Sequence, residues 1–393
     1  MKRSSYGWIV LLSFIVISSI TNMLWLNFAP ILSVIQEKYE ISELQASSLI
    51  LVFPIWYIIL SIPAGLLIDK KGYRYVISVA AVATALSSII RVFDSNFWML
   101  FLGQTGIAIA QPFIMNGISK LVADWFDHKI RALATGIGTL GIFLGMAFSM
   151  ALTPMMVHDT DIHTAMIVFA GIAIGGTVIF ILLVREAGQA TEPMAGSWKE
   201  IPELLGNRNL VVIYVISFLA LGFFNGFTNW IELILKQRGI NSEDAGLIAG
   251  VMIIGGILGS IIIPAISDKV RRRKPLLILC GAMATLLIYP MATSSQINLS
   301  MILGFLLGGL ALPALALLLT MSEEEAGHQK AGAATGFLML AGNAGTVLIT
   351  VLMETVKNGD DWFNAIILLV FTILLATIIA FVTKETFRTK SKS

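Results

Sequence analysis

A chain of 393 residues that is 57% hydrophobic and only 13% charged is too apolar for a water-soluble fold, in which about a quarter of residues are charged. A net charge of +2 says little by itself, and a single cysteine, Cys280, excludes an internal disulfide. The solvent for most of this chain is therefore lipid.

Apolar runs of about 20 residues, enough to cross a ~30 Å hydrocarbon layer as helix, recur along the whole length. Twelve are read: 7–35, 44–68, 75–90, 98–122, 132–154 and 165–184, then 210–235, 245–266, 275–292, 297–321, 331–353 and 362–382. Runs this long and continuously apolar predict helices and exclude a barrel. The first run follows Lys2 and Arg3 but is too long, and lacks the small-residue cleavage site, of a secretory signal, so it reads as the first helix. Between runs six and seven, the hydrophilic stretch 187–209 carries Gly188, Pro193 and Gly196 and reads as a linker. Within it Ser197 and Glu200 have capping-box spacing, and Trp198, Ile201 and Leu205 share a face. A short surface helix or a plain solvated linker fits equally. The expected fold is an all-α membrane protein of twelve transmembrane helices in two pseudo-symmetric six-helix bundles, 1–186 and 210–393. The other loops are short, which leaves no room for a soluble catalytic domain, and no phosphate-binding loop is present.

With both ends on one side, 20 of the 26 Lys and Arg fall on that side and five on the other, with Lys120 inside a run. This asymmetry predicts a multi-pass protein of the cell membrane with both termini cytoplasmic. The chain is expected to act as a monomer in the lipid bilayer, on a small-molecule substrate and without nucleic acid.

Two loops echo each other. Gly65, Asp69, Gly72 and Arg74 lie at the end of the second run, and Asp268, with Arg272 in a basic cluster, follows the eighth, the aspartates 199 residues apart. His128, Ala134, Thr135 and Gly136 recur as His328, Ala334, Thr335 and Gly336 at an offset of 200. The chain is one unit written twice. The Gly65–Arg74 pattern resembles the signature loop of the major facilitator superfamily. That resemblance implies the twelve-helix fold, a substrate site at the interface between halves, and alternating access. Asp69, Arg74, Asp268 and Arg272 are then gating candidates, whose ion pairs form in one of two states and bias the equilibrium between them.

Substrate chemistry is expected from polar and aromatic residues near mid-span, where an unpaired polar group is costly. Asn22, Trp25 and Asn27 lie in the first span and Gln104 and Gln111 in the fourth. The seventh holds Asn225, Thr228, Asn229 and Trp230, and the eleventh Asn343. Arg91, Glu232 and Glu354 are placed near span ends, so no buried arginine or lysine is expected to receive a multiply charged anion. Glu232 is the coupling candidate. An indole face attracts a cation without putting a full negative charge in the membrane, so Trp25 and Trp230 suit an amine or quaternary ammonium. Each of these residues also reads as ordinary helix packing.

The stretch from Gly103-Gln104 to Gln111-Pro112-Phe113, continuing through Ile118 to Trp125-Phe126, together with Leu24-Trp25-Leu26-Asn27-Phe28-Ala29, resembles the feline leukaemia virus subgroup C receptor-related family. The resemblance implies carriage of haem, choline or ethanolamine. It places that family's cavity tryptophan and glutamine on Trp25 and Gln111, and its seventh-span asparagine and aromatic on Asn225 and Trp230. Asn343 and Asn27 stand where that family has glutamine.

The reading is a secondary transporter of a small organic solute such as choline, by facilitated or weakly coupled transport. A proton-coupled carrier of an organic anion, a drug exporter and, further off, a non-transporting sensor are the alternatives. No catalytic constellation is seen, so no enzyme is expected. The histidines lack ligand spacing, so no metal is assigned, and no cofactor is called for.

Overall fold

The computed structural model describes residues 2–126, 130–187, 201–327 and 330–387. The linker residues Ser197, Trp198 and Glu200 and the repeat markers His128 and His328 lie outside them. The chain divides into two compact units, Met1–Ala195 and Gly196–Ser393. Among the described residues, twelve helical segments are long and apolar enough to cross a membrane.

The first unit is built from α1 (Lys2–Leu26), a 3-10 turn (Ala29–Ile31), α2 (Leu32–Tyr39), α3 (Glu43–Lys71), α4 (Tyr73–Val92), α5 (Phe97–Met115), α6 (Gly117–Trp125), α7 (Arg131–Asp159) and α8 (Ile162–Leu183). Polar residues at the turns start the helices. Ser42 closes a capping box with Gln45, while Asn96 and Asp161 accept backbone N–H bonds at the heads of α5 and α8. The second unit holds the short α9 (Ile201–Gly206), then α10 (Arg208–Lys236), α11 (Ser242–Val270), α12 (Lys274–Thr293), α13 (Ile297–Ala326), α14 (Ala331–Val356) and α15 (Phe363–Ala380). Asn207 and Asn241 cap α10 and α11 in the same way.

The two units repeat one set of helix pairings. In the first, α1 packs on α7 and α8, α3 on α5, and α4 on α5 and α8. In the second, α10 packs on α14 and α15, α11 on α13, and α12 on α13 and α15. The periphery is apolar outward as well as inward, with Leu182 72% and Phe371 62% exposed, as lipid-facing helices require. The closest approach also recurs. A β-carbon on Gly145 would collide with the Ser19 carbonyl of α1, and one on Gly345, 200 residues on, with the Phe218 carbonyl of α10. Only a residue without a side chain lets these backbones meet.

Two spans expected to be continuous are broken. The first stops at Leu26 and resumes through the 3-10 turn, because Pro30 has no N–H to give the Leu26 carbonyl and its ring clashes there. The fourth breaks at Asn116, four residues after Pro112. Non-helical backbone survives at such depth only where other groups satisfy it.

Candidate functional site

In the first unit, side chains from two helices and from the turn itself meet the broken end of α1. Helix termination leaves the last carbonyls of α1 without N–H partners. Ser149 of α7 donates to the Met23 carbonyl at 2.8 Å, and Gln104 of α5 donates to the Leu24 carbonyl at 3.0 Å. Asn27, with its amide turned to satisfy both ends, adds a 2.9 Å bond to that same carbonyl. These polar residues caulk the break rather than line a cavity.

Trp25 sits on the last turn of α1, half-buried. Its indole N–H donates to the Ile50 carbonyl at 3.2 Å, and its ring lies 6.1 Å from that of Phe53. The acceptor is available because Pro54, four residues on in α3, has no N–H to give Ile50. A proline in one helix thus fixes the tilt of a tryptophan in another. Asn22 is buried and uses its amide on the Ser18 carbonyl (2.8 Å) and the Met115 sulfur (3.4 Å), so it ties α1 to α5. Gln111 lies two turns along α5 from Gln104, on the same face. It is 5% exposed, and its amide is not among the enclosed polar atoms that lack a partner.

In the second unit Asn225 and Trp230 lace α10 to α14, and Asn343 bonds within α14. Asn225, half-buried, donates to Thr346 Oγ1 at 2.9 Å, and Asn343 turns its amide onto the Met339 carbonyl at 2.9 Å. Trp230 differs from the open box wall expected. It is wholly buried, its N–H bonded to the Thr350 carbonyl at 3.0 Å and its ring 4.9 Å from that of Trp362. Helical rotation turns it inward onto α14 and α15, while Asn225, the position 200 residues from Trp25, stays partly open. Glu232 is also fully buried and accepts from Ser242 Oγ at 2.7 Å.

Of the expected gating loops, the first turns at Gly72, whose φ of 82° lies in the region favouring glycine and whose missing side chain leaves room for the Glu186 carboxylate. Asp69 is half-buried and Arg74 exposed. In the second loop Arg272 is exposed and the buried arginine is its neighbour, Arg273. Arg271 in left-handed conformation (φ 59°) reverses the chain after α11, which aims Arg273 back at Asp268 (2.5 Å), Ser267 (3.1 Å) and Glu324 of α13 (3.0 Å). Burial lowers the guanidinium pKa, but Glu324 and Asp268 more than reverse this, leaving it above the ordinary value. The segment after α15 straps the same corner. Glu385 accepts the backbone N–H groups of Arg273 and Lys274, Thr386 donates to Glu324 at 2.7 Å, and Phe387 lies under the guanidinium at 5.2 Å. Arg273→Ala is expected to lower unfolding stability by roughly 2 kcal/mol, the scale of bonds to charged groups. Arg272→Ala should stay within about 0.5 kcal/mol, as surface changes do. Denaturation of the two purified variants side by side checks both.

At the other end of the first unit, Asp94, between α4 and α5, is gripped by Lys38 of α2 and by His163 of α8 at 2.9 Å, while Tyr39 donates to its backbone carbonyl at 3.0 Å. Burial raises the Asp94 pKa, but the bonds from Lys38 and His163 outweigh it and hold the carboxyl below its ordinary value. A depressed carboxyl stabilises the fold above the unfolded value of about 3.9 and loses that contribution as pH falls through the folded value. The melting-temperature gap between the protein and Asp94→Asn is therefore expected to hold at neutral pH and to close below about pH 4.

The Major Facilitator Superfamily model matches residues 10–350. The chain belongs to the Major Facilitator Superfamily. A protein of Archaeoglobus fulgidus without an assigned function is 36% identical over 208 residues, 53% of this chain and 94% of its own length. The choline/ethanolamine transporter flvcr2a of Danio rerio is 24% identical over 292 residues, which cover 68% of this chain and 62% of that relative, so the chain spans less than two thirds of it. Among solved structures, a bacterial homologue of the human lysosomal transporter Spinster superposes with a TM-score of 0.75 at 15% identity, covering 98% of this chain and 99% of that one. At that identity the likeness shows the fold alone.

This Major Facilitator Superfamily member is a multi-pass membrane transporter. Three of its structurally prominent polar residues went unmarked in the sequence. Arg273 is hidden in a run of basic residues, Ser149 is one serine among many, and Asn116 takes Tyr57 (3.0 Å) and the Ser61 carbonyl (2.7 Å) as partners. Arg91 corrects an expectation. It lies near the end of its span, as expected, but it is 1% exposed where no buried cation is expected.

Proposed function

We propose that this transporter carries a small amine or quaternary ammonium such as choline or ethanolamine across the cell membrane by alternating access, facilitated or weakly coupled. The candidate substrate ligands are Trp25 and Gln111 in the first unit and Asn225 and Asn343 in the second, with Asn22 and Trp230 holding their neighbours in place. Asp69 and Arg74, and Asp268 with its basic cluster, are the proposed gates, on a side that the lysine and arginine asymmetry assigns to the cytoplasm. The units proposed are bundles 1–186 and 210–393 joined by the linker 187–209.

The observation that carries the reading is a pair. Gln111 is a largely buried residue whose amide is not among the enclosed unpartnered atoms and so stays within reach of a ligand, and Trp25 is an indole locked by its N–H at the break of a membrane helix. An amide accepts from an alcohol or ammonium N–H, and a desolvated indole face holds a cation by about 2 kcal/mol or more. The name of the Danio rerio relative points to the same substrate class. Purified protein in liposomes is expected to take up radiolabelled choline saturably, with unlabelled ethanolamine competing. Absence of saturable uptake in either direction removes the reading. Glu232 supports a second reading, proton coupling of an organic anion, because it is a fully buried carboxylate that accepts a hydroxyl bond. Uptake of carboxylates, driven by a pH gradient and lost in Glu232→Gln, would replace the first reading with this one.

A further inference from the structure

Arg91 stands one residue before the end of α4 and is 1% exposed. Its Nη2 donates to the Met166 sulfur of α8 at 3.0 Å and to the Asn27 side-chain oxygen at 2.5 Å. The guanidinium carbon lies 4.8 Å from the centre of the Phe28 ring. Among the described residues Nε and Nη1 have no hydrogen-bond partner, and none of these contacts is a carboxylate. Across from it, Gly103 leaves just the space that the Arg91 stem fills, since a β-carbon there would fall 2.6 Å from Arg91 Cγ.

A buried guanidinium without a counter-ion is costly, so its surroundings must favour the charge by other means. Two are present. The partners Asn27 and Phe28 are the residues that follow Leu26, where α1 ends and its carbonyls form the negative pole of the helix dipole. The Phe28 ring offers its electron-rich face. Both means come together where the first span is broken. A continuous helix would carry the α1 carbonyl pole past this point and turn both side chains to other directions.

We infer that Arg91 is the brace of this break. Its charge holds the Asn27–Phe28 turn, and the turn sets the angle at which the preceding residue but one, Trp25, is presented. Arg91 touches no substrate in this scheme and is a positioning residue. Its link to transport rests on the proposed role of Trp25, but the brace itself does not.

The test separates the two. Hydrogen–deuterium exchange on the purified full chain reads the amides of residues 24–32 directly. Arg91→Met keeps much of the apolar stem and removes the charge, and Asn27→Leu removes the acceptor while leaving Arg91 in place. Both are expected to raise exchange across the turn, with peptides from α10 to α15 unchanged, and to weaken choline binding about tenfold, or 1.4 kcal/mol. In a Trp25→Ala background neither should weaken it further, because the effect passes through that indole. Arg91→Lys keeps the charge without the fork and should fall between. Unchanged exchange at 24–32 in both Arg91→Met and Asn27→Leu overturns the brace. Raised exchange with choline binding indifferent to Trp25→Ala upholds the brace and overturns the reading of Trp25 as a ligand.

Discussion

Trp25→Ala is expected to weaken choline binding about thirtyfold, the equivalent of the ~2 kcal/mol that a desolvated indole offers a cation. The size follows from how the ring is held. Its N–H bond to Ile50 orients the plane before any ligand arrives, so little rotamer freedom is lost on binding. Trp25→Phe keeps an aromatic face and loses that anchor, so it should retain binding between the two extremes. Isothermal titration of the purified proteins with choline measures all three. Equal affinities for the protein and Trp25→Ala would remove the aromatic contact from the proposal. Melting temperatures guard the comparison, since Trp25 is only half-buried and its truncation leaves a smaller void than a core tryptophan would.

Gly345→Val is expected to abolish the folded protein, and Gly345→Ala to destabilise it clearly. In an ordinary helix, glycine to alanine gains up to about 1 kcal/mol, so the sign of this effect is the test. The reason for reversal is that the group in the way is the Phe218 carbonyl with its carbon, backbone that no rotamer change can move. Gly145 makes the same approach to Ser19 in the first unit and should behave alike. Gly136 and Gly336 provide the control, because nothing lies within 4 Å of a β-carbon there, and their alanine variants should be neutral or more stable. Thermal melts of the four alanine variants, in detergent at one concentration, would show two losses and two neutral results. A neutral Gly345→Ala would mean that α10 and α14 separate readily at this point.

The transmembrane spans were legible because the hydrophobic effect is read along one dimension. Twenty apolar residues in a row have no soluble alternative, and duplicated loops around Asp69 and Asp268 betray a repeated unit whatever the helices do. The same signal is blind to rotation and to interruption. Asn27 and Pro30 sit inside a stretch as apolar as any other, so the break at Leu26 left no trace in hydropathy, although Pro30 is its cause. Trp25 and Trp230 look alike in sequence, yet one indole is half-open on a helix end and the other is sealed against Trp362.

Sequence alone therefore determined that this is a twelve-span, twice-written membrane chain of the major facilitator type, with its polar residues concentrated on a few spans. Tertiary structure decided which of those residues are spent on each other and which stay unsatisfied. Gln104, Asn27 and Ser149 close the carbonyls of a broken helix, whereas the amide oxygen of Gln104 is enclosed without a partner among the described residues. It also decided that Arg91 is buried and that Arg273 rather than Arg272 meets Asp268. The reason is common to all of them. Burial in lipid depends on composition, but a hydrogen bond between helices depends on the turn of each one, and that angle is set by the neighbours it packs against.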